Sequence, residues 1–486
     1  MHWLNSQEKD RTLSCAYCGY TGLFQHAMSY EHSGETLSLY TCSSCKSLAY
    51  NTADIKFPIE THSDAVLAQG EAISQDAWRV ARYHIEAGFS SRHVAMCALA
   101  ALPDGSAASL RKFTFVDVGA GFGMASHLVK SLFGMSTVTV EPSFTGKLSN
   151  EILGLSVHRA YFEHLPPDLL AELATKPCCL HLNSVVEHLA NPFVILKDMI
   201  SRVKVRTLAV IVPDGDALDV KGSFVAALPF LSPRDHRHLP SKKGLDRLLR
   251  RLGFEHVHID QEAGLLTGVG SRSPIIFPSE RTIGLAEQVL LENLIRHPNR
   301  FVAEGGVSRI LPIAVTNKND ALMADLRARL PYESQVDAYL KRIADRSWDD
   351  LPFHLGPSCY WLALHAFISG RPDGALSLLD VTVAFADLIA GDYPELAMTS
   401  VEFKWAAFLL KGNILSSQTR GDAAKAALNE ILASRSDAMY GARTLYIDQA
   451  QAALSALQPP APAPENEVRR EEVDNPRFAK LAKRRA

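Results

Sequence analysis

Phe113-Thr-Phe-Val-Asp-Val-Gly-Ala-Gly-Phe-Gly123 runs from an apolar, β-branched stretch straight into three glycines at alternate positions, and Val138-Thr-Val-Glu-Pro142 follows on the next strand. The apolar part suits a strand buried on both faces, the hallmark of parallel sheets covered by helices. Gly119, Gly121 and Gly123 permit a tight turn that brings backbone N–H groups close to a ligand. Glu141 stands twenty-two residues past Gly119, where a parallel α/β unit sets an acidic residue against ribose hydroxyls. The pattern predicts an α/β fold with a nucleotide-cofactor site.

What the turn lacks narrows the choice of cofactor. A dinucleotide fingerprint needs Gly-x-Gly-x-x-Gly or Ala, and the sixth position is Met124 counted from Gly119, or Ser126 counted from Gly121. Asp117, two residues before the first glycine, would repel a pyrophosphate and tolerate a cationic amino-acid ligand. This arrangement resembles the first motif of class I S-adenosylmethionine-dependent methyltransferases, with Glu141 at the acidic position of their second motif. Leu180-His-Leu-Asn-Ser-Val-Val-Glu-His-Leu-Ala-Asn-Pro192 is similar to the family's fourth strand and loop, with Asn191 as cap and Pro192 as first residue of the next helix. Asp235-His-Arg-His238, the leucine-rich stretch after it and Gly253-Phe254 resemble the family's His-x-His segment, helix and terminal Gly-Phe. The resemblance spans about residues 112 to 270. It implies a Rossmann-like sheet in which Asp117, Gly119, Ala120 and Gly121 line the methionine and ribose side and Glu141 holds the ribose hydroxyls. Tyr161 and Phe162 would lie near the adenine, and Asn183 near the methionine part. Where this sequence has Tyr161, many relatives carry an acidic residue, so a backbone or stacking contact is expected there.

Cys15-x-x-Cys18 and Cys42-x-x-Cys45, twenty-three residues apart, form a second signal. Two such knuckles supply the closed Cys₄ set that structural zinc prefers, and Tyr20, Leu23, Phe24, Leu37, Leu39 and Tyr40 between them suit the short strands of a zinc ribbon. A ribbon this small buries little apolar area, so the metal is expected to supply much of its folding free energy. Residues 1–60 carry four Lys and Arg against six Asp and Glu, so the ribbon is not expected to bind nucleic acid. A Cys₄ element directly before such a methyltransferase is similar in layout to bacterial sugar C-methyltransferases, where the metal module covers the substrate crevice. The first ten residues lack the apolar core of a signal peptide, which points to the reducing cytoplasm.

With 486 residues, 47% of them hydrophobic, the chain is expected to form several domains. These are a zinc-ribbon module over 1–60, a helical cap or linker over 61–110, a methyltransferase domain over 111–273, an α-helical domain over 274–458 and a disordered, proline-rich tail over 459–486. The stretch from Trp361 to Leu379 has the small-residue spacing of a tetratricopeptide-like helix pair, without a clean repeat. A net charge of −3 gives no long-range pull toward nucleic acid or anionic lipid, and no apolar run of ~18 residues predicts a membrane span.

Methyl transfer from a sulfonium needs alignment and, for a hydroxyl or carbon acid, a proton acceptor. The candidate bases are His236 and His238, with Asp235 beside them, and His188 at the rim. These features lead to an S-adenosylmethionine-dependent methyltransferase acting on a sugar, nucleotide-sugar or glycan precursor. Two other readings stay open: an enzyme acting on a protein or RNA partner docked by the ribbon and helical domain, and a non-catalytic zinc-bearing scaffold.

Overall fold

The computed structural model describes residues 2–4, 8–32, 35–50, 75–218, 227, 230–231, 236–262, 264–393, 396–433 and 443–457. Asp235, residues 51–74 and the tail from 458 lie outside the described residues. The chain divides into two units, one of Met1–Ala81 with Phe89–Asn293, the other of Arg82–Gly88 with Leu294–Ala486.

The first unit holds two sheets. Five strands come from the N-terminal segment: β1 His2–Leu4, β2 Arg11–Ser14, β3 Thr21–His32, β4 Glu35–Cys42 and β5 Leu48–Tyr50. The larger sheet uses β6 Thr114–Val118, β7 Ser136–Val140, β8 Val157–His158, β9 Cys178–Asn183 and β10 Val205–Pro213. After β11 His238–Leu239 come β12 His256–Glu262 and β13 Leu265–Ser271. The larger sheet runs β12-β13-β10-β9-β6-β7-β8, with β8, β7, β6, β9 and β10 mutually parallel and β13 antiparallel to both its neighbours. Its central strands are mostly apolar and buried on both faces: all five residues of β6 are buried, Asp117 among them. Strand order reverses between β6 and β9, so the connections leaving their carboxyl ends diverge and open a crevice there.

The N-terminal sheet runs β1-β3-β4-β5-β11, with β2 on the edge of β3. Its last strand comes from the far side of the sequence: His238 pairs with Ala49 and Leu239 with Leu48. The ribbon expected as a separate module over 1–60 is therefore completed by a strand from the methyltransferase segment. Cys15, Tyr17, Phe24 and Tyr40 share one apolar core with Leu245, Leu248, Val210 and Leu266. Burial against the helix Lys242–Arg251 therefore helps to hold this N-terminal sheet.

The expected boundary at 274 lies elsewhere by contacts. The helix Glu280–Ile295 packs with the first unit for most of its length, where Glu287 accepts a 2.6 Å hydrogen bond from Ser91 Oγ and Glu280 pairs with Arg92. In the second unit, helices Leu355–Ile368, Pro372–Asp392, Ala397–Ser417, Gly421–Ala433 and Arg443–Ala456 each pack on the next. The first and third, and the third and fifth, also touch, as in stacked helical hairpins. Pro372–Asp392 is long and apolar enough to cross a membrane, but half of it is buried against its neighbours, as in a core helix. Arg82 and Glu86 form a buried pair at 2.7 Å; Arg82 also donates to the carbonyls of Trp348 and Leu351, and Glu86 accepts from Phe353 N.

Candidate functional site

The glycine turn leaves β6 with all three glycines in the left-handed region, φ being 66° at Gly119, 53° at Gly121 and 68° at Gly123. Side chains would be strained at each, and at Gly119 a Cβ would also meet Val185 Cγ2 at 2.3 Å. At Gly121 a Cβ would meet nothing within 4 Å. The turn therefore presents bare, half-exposed backbone at Gly119, Ala120 and Gly121, while Gly123 caps the helix Met124–Phe133. Glu141 closes the turn from the end of β7. Its Oε2 accepts from Gly121 N and its Oε1 from Ser143 N, each at 2.8 Å.

Asp117 does not face the crevice. Its carboxylate is buried, Oδ1 lying 2.7 Å from His181 Nδ1 and Oδ2 accepting from Ser126 Oγ at 3.0 Å. Strand alternation carries the side chain onto the face covered by the helix Met124–Phe133, so the expectation that it lines the methionine side is corrected to a position beneath the turn. Phe162 is corrected likewise: it is buried in the apolar core with Val138, Val140 and Leu165. Tyr161, ahead of it, is half-buried at the start of the short 3₁₀ turn Phe162–His164. Asn183 ends β9 half-buried and is followed by Ser184 at φ 54°, a conformation non-glycine residues seldom adopt.

The histidines separate. His238 lies in β11, buried, with Nε2 3.3 Å from the Ala190 carbonyl and its ring edge-on to Tyr17. Strand pairing and packing occupy it, which corrects its expected role as a base. His236 and His188 meet, their ring centroids 4.9 Å apart. His236 Nδ1 is 2.6 Å from the Phe230 carbonyl, an acceptor only, so Nδ1 carries the proton and Nε2 the lone pair. Burial pushes His236 down to about 4, keeping it neutral.

Glu187 belongs to the same group and had no assigned role in the sequence. It is wholly buried with no hydrogen bond to either carboxylate oxygen, and burial pushes it up to about 8. Its Oε1 lies 4.0 Å from His236 Nε2, and one ligand atom from each of Glu187, His188 and His236 fits within 4.8 Å of the others. Tyr17, between the first two cysteines, is buried with its hydroxyl unbonded; burial first, then the charge of Glu187, holds that phenol well above its ordinary range. Only folding brings Tyr17 to Glu187, so spacing could not reveal it; Glu187 had a signal in the Glu-His-Leu segment.

The four N-terminal cysteines converge. Cys15 Sγ is 3.6 Å from Cys45 Sγ and Cys18 Sγ 3.7 Å from Cys42 Sγ, with all four sulfurs within 4.8 Å of one another. A tetrahedron of 2.3 Å zinc–sulfur bonds has edges of about 3.8 Å, so the donor set fits zinc; no disulfide joins these residues. The knuckles are held on the methyltransferase segment by Arg251, which donates to the Tyr17 carbonyl at 2.8 Å, and by Arg247, which donates to Ser44 Oγ at 2.6 Å. Ser241 caps the helix Lys242–Arg251 and also donates to the Cys45 carbonyl.

Residues 92–259, about a third of the chain, match a family model described as a methyltransferase domain. The match covers the glycine turn and the strands from β6 to the start of β12, and it supports methyltransferase activity for this part of the chain. No curated protein matches the chain.

Proposed function

We propose that this protein transfers a methyl group from S-adenosylmethionine to a small polar acceptor, a sugar, nucleotide-sugar or glycan precursor. The observation that carries the reading is the convergence, at the strand-order reversal, of a bare left-handed glycine turn, the Glu141 carboxylate and the end of β9 at Asn183. The open space at Gly121 is what a cofactor drawn against backbone N–H groups requires. Gly119, Ala120 and Gly121 would hold the methionine and ribose side through their backbone. Glu141 would exchange one of its backbone bonds for the ribose hydroxyls, Tyr161 would stack near the adenine, and Asn183 would meet the methionine part. The bound cofactor would supply an electrophilic methyl on a sulfonium.

Asp117 acts through others in this reading, fixing His181 and Ser126 beneath the turn. The acceptor's proton would pass to the group formed by Glu187, His188 and His236 on the same sheet edge. A small acceptor is supported by Tyr17 of the N-terminal sheet, which is buried in one apolar core with Val186, the neighbour of Glu187. The resemblance to sugar C-methyltransferases is one of layout and does not by itself fix the substrate; a structural zinc in the Cys₄ set would hold the ribbon in place. Calorimetry with S-adenosylmethionine tests the first half, and no binding by wild-type protein would overturn it. Mass spectrometry of metabolites and glycans from cells lacking the protein tests the second, where a missing 14 Da methyl increment, the mass of one CH₂, is expected.

A further inference from the structure

We infer that Glu187, His188 and His236 form a second metal site, distinct from the cysteine set, which binds one divalent transition-metal cation with coordination positions left open. Three observations converge on it. Glu187 is fully buried and neither of its oxygens has a hydrogen-bond partner, so its ionised form lacks the compensation that a buried carboxylate requires and that a bound cation would supply. His236 points its Nε2 lone pair at that carboxylate from 4.0 Å, while its Nδ1–H is engaged by the Phe230 carbonyl. A backbone carbonyl on the second ring nitrogen is how metal-ligating histidines are held in tautomer and orientation. His188 brings the third donor, its ring 4.9 Å from that of His236.

The distances suit one ion. Donors bound at about 2.0–2.2 Å can stand no more than about 4.3 Å apart across the metal. The His236–Glu187 separation of 4.0 Å is inside that limit, and pairs at up to 4.8 Å need to close by only a fraction of an ångström. Two imidazoles and a carboxylate are borderline donors that suit zinc, cobalt, manganese or ferrous iron, unlike the closed, soft thiolate set at the knuckles. Three protein donors leave room for a water or an acceptor oxygen, as in catalytic sites. If the methyl-transfer reading holds, the cation would anchor an acceptor hydroxyl whose proton passes to solvent, the three side chains then serving as ligands and not as the base; the site itself does not depend on that reading.

Cobalt(II) titration of the full-length chain followed by absorbance tests the inference, because thiolate-bound cobalt gives a charge-transfer band and cobalt on imidazole and carboxylate does not. Wild-type protein is expected to bind one equivalent with the band and a second without it. Glu187→Gln and His188→Ala are each expected to lose the second equivalent and keep the first, which also reports that the ribbon is folded. The inference is overturned if wild-type protein binds no equivalent lacking the band, or if that equivalent survives in both variants. Calorimetry with S-adenosylmethionine on the same samples separates the two proposals. Cobalt at the second site without cofactor binding would retain the metal site and remove the methyltransferase reading, and the reverse result would do the opposite.

Discussion

Gly121→Ala separates the stability of the turn from its ligand function. At φ 53° an alanine pays the left-handed penalty of roughly 1–2 kcal/mol, and its Cβ meets nothing within 4 Å, so no clash adds to it. The variant should fold and lose about 1–2 kcal/mol in denaturant unfolding. Its methyl group would, however, stand in the space where the cofactor is drawn against the backbone. Forcing a methyl into a filled volume costs about 1–3 kcal/mol, which at 1.4 kcal/mol per decade is about 5- to 150-fold in dissociation constant. Gly119→Ala is the control for the other effect: its Cβ would lie 2.3 Å from Val185 Cγ2, so its main loss should be stability. Calorimetric titration with S-adenosylmethionine, beside denaturant melts of both variants, reads the two quantities. A Gly121→Ala protein that binds the cofactor as tightly as wild type would refute the assignment of this turn as the cofactor's cradle.

Asp117→Ala leaves His181 Nδ1 buried without its partner and should cost about 1–3 kcal/mol of stability in urea unfolding; a loss under about 0.5 kcal/mol would show that the pair does not hold the turn. Cys42→Ser should reduce bound zinc from one cysteine-held ion per chain to well under one by metal analysis. It should also loosen β11 and the helix Lys242–Arg251, seen as faster proteolysis there, because both pack on the knuckles. Burial pushes His93 down to about 4, with a smaller push from the charge of His181, and takes His354 to about 3. Each folded value lies below the unfolded 6.5, so the unfolded chain binds more protons between them; the stability present above pH 6.5 is lost as pH falls toward 4. Burial raises Glu86 to about 7 and Glu187 to about 8, which acts in the opposite sense, so the histidine share is read by difference: thermal midpoints should fall from pH 7 to 4.5 more steeply in wild type than in His354→Gln, and equal slopes would contradict the burial of that ring.

The sequence by itself determined the chemistry of local segments. Periodicity and glycine spacing placed β6 and its turn, because consecutive residues alone decide whether a strand can be buried on both faces and then turn through positive φ. Asn191 and Pro192 announced a helix start that is observed, with Asn191 accepting from Val194 N. The paired cysteine knuckles likewise predicted four sulfurs in one cluster. Tertiary structure alone decided where side chains of correct type point. Asp117 and Phe162 have the identities expected at a cofactor site, yet strand alternation and core packing turn them inward. His238, two residues from His236, is taken up in a strand whose partner lies some 190 residues earlier, a pairing no local pattern encodes. For the same reason Tyr17 shares an apolar core with Val186, far away in sequence, and Glu187 faces His236: burial energy depends on what packs on what, and long-range packing is fixed by the whole chain.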